Sequence, residues 1–94
     1  MSDSPAPRAS LALMEARLRE RLQPEQLALA DDSAAHAGHA GAREGGHYRL
    51  RIVSAAFTGR SRLARHRLVY DALAELMQRG IHALVIDARA PGED

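Results

Sequence analysis

Cysteine is missing from this chain of 94 residues. With no thiol there is no disulfide, no thiol nucleophile and no thiolate metal site that the chain makes from its own residues. Five His remain, so metal chemistry here uses imidazole or carboxylate, or borrows sulfur from a partner. Tryptophan is absent and aromatics total 3%, so the core has to be built from Leu, Val, Ile, Ala and Met. Lysine is absent too: all 13 basic residues are Arg. No apolar run approaches the ~20 residues that cross a bilayer, and no secretory apolar segment opens the chain. A cytoplasmic protein with no membrane association is expected. The formal net charge of +1 is too balanced to mark a nucleic-acid binder by itself.

What is present describes one small domain. A chain this short buries somewhat over ~60% of its unfolded surface, which leaves little room for a deep catalytic cleft. Residues 1–9, with two Pro, two Ser and small neighbours, read as a disordered N-terminus. From Ser10, a candidate N-cap, Leu11, Met14, Leu18 and Leu22 recur at helical spacing until Pro24. Glu15 and Arg19 form an i,i+4 pair in the favourable order. Gln26 to Asp31 reads as a short strand. Asp32 to Gly46 contains four Gly and no large apolar residue, the composition of a mobile loop. His47 to Ala55 resumes as a strand, with Tyr48, Leu50 and Ile52 on one face and Arg49 and Arg51 on the other.

Phe57 to Ser61 reads as a turn. Ser61 is placed to cap a second helical region reaching about Arg79, with a buried stripe of Val69, Leu73, Leu76 and Met77, and with Gly80 as its C′ residue. Arg60, Arg62, Arg65 and Arg67 crowd the start of this helix, the wrong end for cations in the field of the helix dipole. Their presence implies an anion nearby. Ile81 to Ala88 is a third strand, apolar enough to be expected inside the sheet, and residues 92–94 read as a tail. The order is α-β-β-α-β, an α+β class with both helices on one face of a three-stranded sheet.

No chemistry of catalysis emerges. The Glu and Asp residues form no convergent pair for acid–base work. Ser33, Ser54 and Ser61 lack a nucleophile elbow. The string from Gly59 to Arg62 lacks the Gly-Lys-Ser/Thr element of a P-loop. A non-enzyme is expected.

Several strings together resemble the BolA family: Asp32-Ser33 followed by His36 and Gly38-His39; His47-Tyr48; Val53-Ser54 and Phe57-x-Gly59; Arg65-His66-Arg67-Leu68-Val69-Tyr70; and Ile81-His82-Ala83-Leu84. The resemblance spans about Leu11 to Pro91, and the domain is expected to run from residue 10 to 91. It implies a fold like the class II KH domain. It also implies pairing with a monothiol glutaredoxin of the Cys-Gly-Phe-Ser type, and a [2Fe–2S] cluster shared with that partner and glutathione. The family's roles are iron–sulfur maturation and iron signalling, and some members are described as transcription regulators. Alone, the chain is expected as a monomer or weak homodimer without a cluster.

By this resemblance His82 occupies a ligand position, and His36 the loop position where relatives carry His or Cys. His39 is the alternative loop ligand. Two imidazoles on one iron is the Rieske-like pattern, which raises the reduction potential. His47 and His66 are read as structural. The surface formed by Arg60, Arg62, Arg65, His66 and Arg67 is assigned to a partner, or alternatively to DNA phosphates in a helix-turn-helix or KH-like mode.

Overall fold

The computed structural model describes residues 11–32, 46–78 and 81–93, with backbone alone for Gly46, Ile81 and His82. Ser10, Gly80 and the Gly-rich stretch between Asp32 and Gly46 lie outside the described residues. The first helix, α1, spans Leu11–Leu22 and buries Met14, Leu18 and Leu22, the spacing that presents one apolar stripe. Glu15 and Arg19 meet at 2.8 Å on its exposed side. Gln23 ends the helix with φ 45°, and its N–H bonds the Arg19 carbonyl at 3.1 Å. This left-handed terminator is usually Gly or Asn; here Pro24 follows and prevents further helix.

Strand β1 (Gln26–Asp31) pairs antiparallel with β2 (Gly46–Val53), and β2 pairs parallel with β3 (Ile81–Arg89), in the order β1-β2-β3. Alternation sorts the side chains. Tyr48, Leu50, Ile52 and Ile86 are buried toward the helices, where they meet Met14, Leu18, Val69, Leu73 and Leu76. Arg49, Arg51 and Val85 are exposed on the opposite face. The helices therefore cover one face only, as the sequence pattern predicts.

The structure departs from the sequence pattern in the third strand, the second helical region and the end of β2. The apolar composition of the third strand points to the inside of the sheet, but β3 is an edge. Its odd-numbered positions account for the difference: Val85 adds apolar character to the sequence yet is 62% exposed. The second helical region does not run unbroken to Arg79. It divides into α2 (Arg62–Ala72) and α3 (Ala74–Met77), with Leu73 between them at φ −105°, ψ 8°. Leu73 is fully buried, and neither Gly nor Pro stands at the break. Finally, β2 stops at Val53, and a 3₁₀ helix (Ala55–Phe57) precedes the turn. It carries Phe57 into the core with no exposed surface.

Ser54 joins these pieces. It is the one buried polar residue among those described, at 1% exposure. Its hydroxyl donates to the carbonyl of Leu22, one of the carbonyls left orphaned at the end of α1. The same oxygen accepts the Ala56 N–H at 3.1 Å and caps the 3₁₀ helix. Its backbone N–H donates to the Arg89 carbonyl at 2.9 Å, and its own carbonyl accepts the Phe57 N–H at 3.1 Å. Ser54→Ala is expected to cost about 2 kcal/mol, combining a lost cap with an unsatisfied buried carbonyl. Urea denaturation checks this: the midpoint should fall with the slope unchanged.

Candidate functional site

Topology brings the described residues that flank the His36 and His39 segment to the end of the sheet where β3 begins. Asp31 lies opposite Tyr48, and Gly46 lies opposite Ile81 in the parallel pair. The segment carrying His36 and His39 therefore leaves and rejoins the sheet at the end where β3 begins. His36 and His39 themselves lie outside the described residues. His82 is fixed by its backbone: Gly46 pairs with Ile81 and His47 with Ala83, so His82 is the extra residue of a β-bulge. The bulge interrupts the regular ladder at this backbone position. His47 sits half-buried across from Ala83, and its carbonyl accepts the Asp32 N–H at 2.7 Å.

The arginine cluster occupies the other end of β3. Arg60, Arg62, Arg65, His66, Ile86, Asp87, Ala88, Arg89 and Glu93 line an open groove of about 620 Å³. About 20 Å of extended chain separates Ala88 from His82. The two predicted sites are thus distinct. Arg67, grouped with the others in the sequence, is exposed on α2 and does not line the groove; neighbours along a helix point about 100° apart.

The anion implied by cations at a helix start is Glu93. Its carboxylate receives both terminal nitrogens of Arg65, with Nη2–Oε2 at 3.0 Å. Arg65 Nη1 also reaches the carbonyl of Ala88 at 3.2 Å. The Glu93 carboxylate further accepts the Ala90 N–H at 2.9 Å. The residues read as a tail thus fold back onto the domain. A sequence signal for this exists in Pro91-Gly92. Pro at the second position and Gly at the third, here with φ 91°, make the type II turn that the Glu93 N–H closes on the Ala90 carbonyl at 3.1 Å.

Electrostatics follow the contacts. Hydrogen bonding to Arg65, with help from the Ala90 N–H, holds the Glu93 carboxyl down to about 2. The same bond raises Arg65. Arg89 holds Asp87 below the ordinary carboxylate range through a 2.8 Å contact. Arg60 Nε donates to the Ala56 carbonyl at 2.9 Å. Arg62 makes no ion pair among the described residues, so the groove retains positive charge. Because folded Glu93 binds a proton less readily than the unfolded chain, its contribution is present above about pH 4.5 and is lost as pH falls toward about 2. Acid unfolding of Glu93→Gln should therefore show a shallower pH dependence in that window than the parent, read by circular dichroism. Identical slopes would refute the assignment.

The BolA family profile, described as BolA-like protein, matches residues 18–93. BolA-like protein 1 of Homo sapiens is 44% identical over 82 residues, covering 87% of this chain and 58% of that protein, so the chain spans less than two thirds of this relative. Among solved structures, the BolA domain of SufE1 from Arabidopsis thaliana superposes with a TM-score of 0.75 at 46% identity, over 86% of this chain and 91% of that one. A bol-like protein from Babesia bovis gives 0.78 at 36% identity, over 95% and 93%. With the family profile matching most of its length and solved BolA domains sharing its α+β architecture, this chain belongs to the BolA-like family.

Proposed function

We propose that the chain is a binding protein that pairs with a monothiol glutaredoxin of the Cys-Gly-Phe-Ser type. Together with glutathione they share a [2Fe–2S] cluster, for iron–sulfur maturation or for iron and redox regulation in the cytoplasm. The observation that carries the reading is the parallel β2–β3 pairing. It puts the bulged His82 at the sheet end where the segment bearing His36 and His39 is anchored.

The donor set fits half of such a centre. Four ligands are needed, usually thiolates, and this chain has no Cys. Among the described residues no group of three or more His, Asp or Glu is arranged to hold a metal ion. His82 with His36, or with His39 in its place, would hold one iron, and the partner Cys and the glutathione thiolate the other. Such a cluster supplies one-electron chemistry, and neutral imidazoles on one iron raise its potential above that of an all-thiolate centre. The chain's own contribution would be these imidazoles, two of the four ligands.

A second reading, a DNA-binding regulator, draws on the excess of guanidinium over carboxylate in the groove. It is weakened by Arg65, which Glu93 already engages bidentately.

Anaerobic reconstitution with such a glutaredoxin and glutathione tests the first reading. The chain alone should hold no stable cluster. The mixture should form a coloured heterodimer with Rieske-like EPR. His82→Ala should abolish that signature and leave the apo circular dichroism intact. His36→Ala should do the same unless His39 substitutes, in which case the double variant is needed. An unchanged spectrum in His82→Ala sinks the ligand assignment.

A further inference from the structure

The groove beside Arg62 is walled on one side by the first turn of α2 and on the other by the outer edge of β3. In a parallel pair, residues whose N–H and C=O face the neighbouring strand alternate with residues whose groups face away. Arg89 belongs to the first set, since its carbonyl accepts the Ser54 N–H at 2.9 Å. Ala88 belongs to the second, since its carbonyl faces Arg65. The alternation assigns both backbone groups of Ile86 and the Ala88 N–H to the outward set. Among the described residues these groups have no partner. An open strand edge of this kind is a template for another strand unless it is blunted. Here only the last positions are blunted: Arg65 covers the Ala88 carbonyl, and Glu93 covers the Ala90 N–H.

Glu93 also indicates what chemistry the groove selects. A carboxylate there binds a guanidinium and an edge N–H at once. Arg60 and Arg62 repeat the cationic wall farther along the same groove, both exposed. We propose that this groove docks an extended acidic segment of a partner protein, which adds to the edge of β3 as a fourth strand and sets its carboxylates against Arg60 and Arg62. Backbone pairing supplies the affinity and the alternate side chains the selectivity, as in other strand-addition complexes. A single-stranded nucleic acid fits less well. Sequence-tolerant binding of that kind relies on aromatic stacking, and the groove offers only the half-buried imidazole of His66 and no Phe, Tyr or Trp: Tyr48 and Phe57 are in the core, and Tyr70 lies elsewhere on α2. The site is independent of the His-bearing end of β3, so it stands or falls apart from the cluster reading.

The test uses a labelled peptide alternating Glu with Val, its Gln counterpart, and a single-stranded DNA of matched length. Each is titrated into the whole chain by fluorescence anisotropy, with amide shifts followed by NMR. The Glu peptide should bind saturably, weaken with salt, and move the Ile86 and Ala88 amides most. Arg62→Glu should lower its affinity about tenfold or more, Arg60→Glu similarly, while Arg21→Glu on the exposed side of α1 leaves it unchanged. The Gln peptide should bind as weakly as the Arg62→Glu variant does. No saturable binding, equal loss in Arg21→Glu, or shifts centred off β3 would each overturn the proposal. DNA binding in preference to the Glu peptide would assign the groove to nucleic acid instead.

Discussion

The end of α1, the 3₁₀ helix and the end of β3 are joined at Ser54. A serine has a backbone donor, a backbone acceptor, a hydroxyl donor and a hydroxyl acceptor, and all four are used here against four different residues: Arg89, Phe57, Leu22 and Ala56. These partners lie at the end of β3, in the 3₁₀ helix and at the end of α1. The hydroxyl is almost fully shielded from water, where a hydrogen bond is electrostatically stronger and a missing one more costly than at the surface. The seating of α1, the entry of Phe57 into the core and the closure of β2 against β3 therefore meet at one residue, two of the bonds made by its side chain and two by its backbone. Val53 and Phe57, its apolar neighbours, are both buried, which keeps the junction dry.

The parts of the fold that depend on short-range pattern were legible in the sequence. Leu11 to Leu22 and Tyr48 to Ile52 announce a helix and a one-sided strand because burial follows a fixed period in each. The parts that depend on long-range arrangement were not. Whether Ile81 to Ala88 forms a centre or an edge is decided by which strand it pairs with, and Val85 misleads because its apolar side chain faces outward. The interruption at Leu73 has no local cause in Gly or Pro. Gln23 takes a left-handed conformation that its residue type does not advertise. Of the candidate site, the crowding of Arg60, Arg62 and Arg65 was legible as charges lacking a counter-ion. The counter-ion was not, because Glu93 reaches Arg65 only after the chain has crossed the whole domain and turned at Pro91-Gly92.

The two ends of β3 differ. At its start the strand carries a bulge at residue 82; at its finish it borders a guanidinium groove closed by a carboxylate. Charges screened over ~8 Å at physiological ionic strength do not couple directly across the ~20 Å between these ends. What links them is β2, the central strand, which pairs with β3 along its whole length. Arg17–Glu75 at 3.0 Å and Arg49–Asp32 at 3.1 Å tie the periphery, but both are exposed pairs of small individual effect.

The parallel pairing of β2 with β3 also governs how the chain reaches this state. An antiparallel neighbour can be reached through a short reversal, whereas a parallel one requires a crossover, here made of the 3₁₀ helix, α2 and α3. The contacts between β2 and β3 join positions far apart in sequence, so loop-closure entropy is spent before they form. The helices can form locally and early; the edge strand can add only when the crossover has condensed over Leu50 and Ile52. Non-local pairing of this kind slows folding relative to a domain held by local contacts alone.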